Sequence, residues 1–173
     1  MKKASFDAIA RALNGVQVPF LVVGGIAVIH HGYGRFTQDV DLVIRLDKEI
    51  VLRAFEALHS IGYQPAVPIN AAEFADPANR ERWQQEKNTR VLRFWSDRHP
   101  ETPLDVFAAE PFDFNLEFGR ADVRESSPGI QVRIVSLPTL LEMKRQAARP
   151  QDLADIDEIN LLHELPSSYD RQS

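Results

Sequence analysis

Apolar side chains recur at helical spacing at Phe6, Ile9, Ala10 and Leu13, and Asn14-Gly15 closes the run, which predicts a helix over residues 3–13. Phe20-Leu21-Val22-Val23 is a short unbroken apolar stretch and reads as a buried strand, followed by a short helix over 25–32 that ends at Gly32. Gly32 and Gly34 loosen a loop leading into a strand over 39–45. Helical period returns at Ile50, Val51, Ala54, Phe55 and Leu58, so 48–60 is an amphipathic helix ending before Gly62. Pro65, Pro68 and Pro77 punctuate a less regular stretch with a short helix around 78–86. Val91, Leu92, Phe94 and Trp95 belong to one strand, Pro103-Leu104-Asp105-Val106-Phe107 to the next, and the alternation of Ile130, Val132 and Ile134 to a third. Ser136 caps a helix running to about Ala148, and a last helix runs from Gln151 to Leu165, stopped by Pro166. The order implies an α+β fold: a small mixed β-sheet flanked by helices, with two C-terminal helices packed alongside. Residues 1–165 read as one domain and 166–173 as a polar, frayed tail.

Within this pattern the polar exceptions carry the chemistry. Asp39-Val40-Asp41 opens a strand, and residues two apart on a strand share a face, so two carboxylates sit side by side. Like charges that close call for a cation between them, and a hard divalent ion suits oxygen ligands. Asp105 lies in a strand that is otherwise core, where an unpaired acid is costly. If its strand neighbours the first, three carboxylates meet and two Mg²⁺ ions about 3.5–4 Å apart become feasible; the simpler role for Asp105 is to cap a turn after Pro103. The Gly24-Gly25 pair removes side chains where a backbone must approach something closely, such as a phosphate at a helix N-terminus. A phosphate cradle beside a carboxylate clamp points to chemistry on a nucleoside triphosphate.

Other positions extend the candidate site. Lys144 falls on the apolar stripe of Leu137, Leu140, Leu141 and Ala148, so it faces inward and wants a phosphate or a carboxylate, unless its stem merely covers apolar surface. Asp152 and Asp155 extend the inward stripe of Ile156, Ile159 and Leu162, and first-turn acids also complement the helix dipole. Arg149 precedes them within reach of a phosphate; Arg35 binds phosphate or folds back on an acid, and Thr37 shapes the loop before Asp39. His30 and His31 close the first short helix, a usual place for imidazoles, and are assigned no metal role.

Composition narrows the classes. The 173 residues are 44% hydrophobic and 26% charged, an ordinary globular make-up. The absence of cysteine excludes disulfides, thiol catalysis and cysteine-ligated zinc, and fits a reducing cytoplasm. No run approaches a membrane span, and no signal-peptide core is present. A net charge of −5 exerts no global pull on nucleic acid, and the cluster Arg80, Arg82, Lys87, Arg90, Arg93 and Arg98 reads first as a solvated face and second as a polyanion patch. There is neither a P-loop nor a three-glycine dinucleotide fingerprint.

Taken together, Gly24-Gly25, then Arg35-x-Thr37-x-Asp39-x-Asp41, then Asp105 on a later strand resembles the nucleotidyltransferase superfamily of the polymerase-beta fold. The nearest look-alikes are small bacterial proteins of the AbiEii/minimal-nucleotidyltransferase type, including toxins of toxin–antitoxin pairs. Lys144 and Arg149-Pro150-Gln151-Asp152-Leu153-x-Asp155 are similar to that group's C-terminal pattern, with Gln151 where many relatives carry lysine. The resemblance covers most of 20–165. It implies a polymerase-beta-like core in which Asp39 and Asp41 bind both metals (Mg²⁺ or Mn²⁺), Asp105 binds the catalytic metal and helps deprotonate the acceptor, and Gly24 and Gly25 bracket the triphosphate. Arg35, Thr37, Lys144 and Arg149 complete the nucleotide site. The implied activity transfers an NMP from an NTP to a hydroxyl of tRNA, a protein or a small molecule, with an antitoxin protein as a partner. Two other readings are a catalytically silent nucleotidyltransferase-like domain that binds nucleotide or a partner, and a structural cation site at Asp39 and Asp41.

Overall fold

The computed structural model describes residues 1–164, so the expected helix stop at Pro166 and the polar tail lie outside the described residues. In chain order the elements are α1 (Lys3–Gly15), β1 (Phe20–Val23), α2 (Gly24–His30), β2 (Val40–Ile44), α3 (Lys48–Ser60), β3 (Gln64–Pro65), α4 (Ala71–Ala75), α5 (Pro77–Lys87), β4 (Val91–Trp95), β5 (Leu104–Phe107), α6 (Phe114–Arg120), β6 (Asp122–Ser127), β7 (Ile130–Ile134), α7 (Leu137–Ala147) and α8 (Pro150–Glu164). The seven strands form one mixed sheet in the order β3-β4-β5-β2-β1-β7-β6. The expected α+β class, with helices flanking a mixed sheet, is what the chain adopts.

The central strands are apolar throughout: β1 is buried at all four positions, and Val40, Leu42, Val43 and Ile44 of β2 are buried with it. Antiparallel β1–β2 pairing sets Val23 against Asp41, and parallel β2–β5 pairing sets Asp41 against Asp105. Antiparallel β5–β4 pairing then sets Asp105 against Arg93. Leu42, Val106 and Leu92 occupy the adjacent level and are buried, so the alternation that builds the core also puts Asp41, Asp105 and Arg93 in one row.

Four elements are absent from the periodicity reading. β3 is two residues long and contains a proline, and β6 is a polar edge strand (Asp-Val-Arg-Glu-Ser-Ser) defined by its pairing with β7. α4 and α6 are short helices made by their N-caps. Asn70 and Glu73 form a reciprocal capping box, and the Asp113 carboxylate accepts from Leu116 N–H at 2.9 Å. α7 differs in its cap. The Ser136 hydroxyl makes no capping bond; its own N–H donates to buried Glu117 of α6 at 2.7 Å, while Thr139 bonds the other Glu117 oxygen at 2.7 Å. Ala148 leaves the helix at a left-handed C-cap (φ 49°) and is exposed, and Leu162 of α8 is half exposed, so neither belongs to the inward stripe.

Candidate active site

The three expected carboxylates lie in one stretch of the sheet, but their oxygens do not all come within 4.8 Å of one another. Asp41 and Asp105 are register partners on neighbouring parallel strands, and Asp39 lies one pleat upstream of Asp41. Asp105 is buried at 6% exposure. Arg93 clamps it with both ends of its guanidinium, Nε donating to Oδ1 at 2.8 Å and Nη2 to Oδ2 at 2.7 Å, and Nη2 reaches Asp39 at 3.5 Å. These bonds to Asp105 hold the Arg93 guanidinium above its already high ordinary pKa. Periodicity shows Arg93 on the face opposite Leu92 and Phe94, but its pairing with Asp105 depends on strand register, which has no local signal.

Asp41 is the electrostatically strained member. Burial, then the Asp39 and Asp105 charges, pushes its carboxyl up to about 6, against the opposing pull of the Gly25 amide and Arg149. Asp41 therefore faces two like charges, with Arg149 pulling the other way.

The glycine pair is explained from inside the protein. Gly24 has φ +60°, and a Cβ there would fall 2.0 Å from Asp41 Oδ2. A Cβ on Gly25 would fall 2.5 Å from the Thr37 hydroxyl and 3.2 Å from Arg35 Nη2. The close neighbours are thus Asp41, Thr37 and Arg35. Thr37 is buried, and its hydroxyl makes long contacts to Asp39, 3.4 Å to the carbonyl and 3.5 Å to Oδ1.

The C-terminal residues assemble into a second, ionic layer. Lys144 is 5% exposed and donates to Asp155 Oδ2 at 2.6 Å and Asp152 Oδ1 at 3.0 Å. Arg35 folds back, its Nε 3.0 Å from Asp155 Oδ1 without hydrogen-bond alignment, and Gln151 donates to the same oxygen at 2.9 Å. Arg149 donates to Asp152 at 2.7 Å. Burial alone would raise the Asp152 carboxyl, but the hydrogen bonds from Arg149 and Lys144 outweigh it and hold it below the usual range. Of the two roles open to Lys144, the structure shows the carboxylate contact, and those carboxylates are on α8. Arg149 is the member whose charge reaches Asp41 and Asp39.

The basic cluster does not form one patch. Arg80 is buried and donates to the Phe74 carbonyl at 2.6 Å, and Arg93 serves Asp105. Arg82, Lys87, Arg90 and Arg98 are exposed, as a solvated face requires.

Solved structures share this architecture. An antigenic nucleotidyltransferase-like protein from Paracoccidioides brasiliensis superposes with a TM-score of 0.57 at 19% identity, covering 92% of this chain and 75% of that one. The fold is nucleotidyltransferase-like. A candidate nucleotidyltransferase from Thermotoga maritima agrees, with a TM-score of 0.53 at 13% identity over 94% of this chain and 92% of its own. No family model and no curated protein matches the sequence. In this nucleotidyltransferase-like fold the carboxylate row lies beside the β1–α2 turn at Gly24, with the α7–α8 corner contributing Arg149.

Proposed function

We propose that the chain is a metal-dependent nucleotidyltransferase that moves an NMP from an NTP to an acceptor hydroxyl. The observation that carries this is the register of β2 with β5, which sets Asp41 beside Asp105 with Asp39 one pleat away. The donor chemistry fits a divalent cation: all three are carboxylate oxygens suited to Mg²⁺ or Mn²⁺, and Asp41 stays pushed up to about 6 despite the pull of Arg149, although the three side chains would have to draw together around the ion. Asp39 and Asp41 would hold the ion, and Asp105 would join them once Arg93 withdraws. When bound, the ion supplies Lewis-acid charge at the phosphoryl oxygens.

The chain's own groups would do the rest. Asp105 takes the acceptor proton as the acceptor oxygen bonds the α-phosphorus and the bond to pyrophosphate breaks. Arg149, and Arg93 once freed, offer positive charge to the departing pyrophosphate. Arg35, Thr37 and Lys144 then act chiefly by holding the loop and the α8 acids in place, with Gly24 and Gly25 keeping the turn next to Asp41 open. The motif order favours the AbiEii/minimal-nucleotidyltransferase type, with a cytoplasmic toxin role alongside an antitoxin. No helix of the described residues is long and apolar enough to cross a membrane.

Arg93 favours one alternative. Its two-pronged hold on Asp105 neutralises the third carboxylate internally, as expected of a silent domain that binds nucleotide or a partner without turnover. One assay separates the two: purified protein with Mg²⁺, each α-phosphate-labelled NTP, total RNA, an aminoglycoside panel and lysate. Transfer of label, lost in the Asp39→Asn/Asp41→Asn double variant, is the expected result. Full transfer by the double variant refutes the metal site, and NTP binding without any transfer selects the silent domain.

A further inference from the structure

A second cluster of potential metal ligands lies at the other end of α2. His30 is the last residue of that helix and His31 its C-cap, while Asp122 opens β6, 92 residues after His30 in sequence. The sheet order explains the meeting: α2 leaves β1 directly, β7 pairs with β1, and β6 pairs with β7. One ligating atom from each of His30, His31 and Asp122 lies within 4.8 Å of the other two. At 1.5 Å per residue, this end of α2 is about 9 Å along the axis from Gly24.

The hydrogen bonds already arrange the donors. His31 Nε2 lies 2.8 Å from the Val135 carbonyl, which only accepts, so Nε2 carries the proton and Nδ1 keeps a lone pair. Imidazole ligands of metal sites are commonly fixed in this way by a backbone carbonyl on the other nitrogen. His30 Nε2 is 2.8 Å from Asp122 Oδ2, and Arg124 approaches the same oxygen only to 3.9 Å. α8 adds His163, whose ring nitrogen lies 3.3 Å from the His31 carbonyl.

We propose that His30, His31 and Asp122 form a zinc-class divalent metal site, separate from the Asp39/Asp41/Asp105 carboxylates and independent of nucleotidyl transfer. Two imidazoles and one carboxylate make the donor set of zinc sites that keep a fourth position open. On binding, the proton on His30 Nε2 passes to solvent and the ion takes its place between His30 and Asp122. The ion would tie the C-terminus of α2 to the edge strand β6.

The test uses the metal-stripped full chain. In the Asp39→Asn/Asp41→Asn double variant, calorimetric titration with Zn²⁺ should give about one equivalent bound, and adding His30→Ala or Asp122→Asn should weaken it about ten-fold or more. Should those added variants fail to fold, the imidazole NMR signals of the unmodified protein decide. Zn²⁺ should shift His30 and His31 and leave His59 and His99 in place. Failure of the double variant to bind zinc, unchanged affinity in Asp122→Asn, or zinc-induced shifts confined to other histidines would each overturn the site.

Discussion

Asp41 is held in a state that water would not choose. Its carboxyl has an ordinary value of 3.8 and is pushed up to about 6 by burial and by Asp39 and Asp105. Well below pH 3.8 the folded and unfolded chains both carry the proton, so the group has no effect on folding. As pH rises toward 6 the unfolded chain ionises freely while the folded chain resists, and stability falls across that window. Without divalent ions, Asp41→Asn should therefore raise stability by about 1–3 kcal/mol at pH 7 and flatten the slope between pH 4 and 6. Urea denaturation in the presence of a chelator reads both effects, and a destabilised variant contradicts the account. Gly24 is the complementary case. Gly24→Ala places a Cβ 2.0 Å from Asp41 Oδ2 at φ +60°. The backbone term alone should cost about 1–2 kcal/mol, and divalent-ion binding should fail as Asp41 is displaced. Gly15→Ala, with nothing within 4 Å of the new methyl, is the matched control and should be neutral or slightly stabilising in the same denaturation assay.

At the level of elements, the α7–α8 corner is joined by charge. Asp155 is fully buried between Lys144 and Arg35, and Asp152 between Lys144 and Arg149. Asp155→Asn leaves buried Lys144 with Asp152 alone and takes the acid from Arg35, so it should destabilise the fold by about 1–3 kcal/mol in a denaturation experiment. No measurable loss would mean water reaches these groups. The inward position of Lys144 was legible from its spacing with Leu137 and Leu140; its partners on the next helix were not. Gln151 fits as a donor to Asp155. The short elements escaped for local reasons. α4 and α6 are short helices fixed by their caps, and β6 is a polar edge strand made by pairing with β7.

At the scale of the whole molecule, sheet order turns separate motifs into a site. Asp39-x-Asp41 shares a face by the two-residue period of a strand, and that much is fixed by sequence alone. The main strands and longer helices follow from the same reasoning, because burial of a continuous apolar run or a helical stripe is the dominant favourable term in folding. The mixed-sheet class and the inward lysine were determined in the same way. Other features depend on which strands become neighbours. Parallel β2–β5 pairing brings Asp105 to Asp41, antiparallel β4–β5 pairing gives Asp105 to Arg93, and β7–β6 pairing carries Asp122 to His30. These contacts join residues far apart in the chain, and no local pattern encodes a register set by the packing of the whole core.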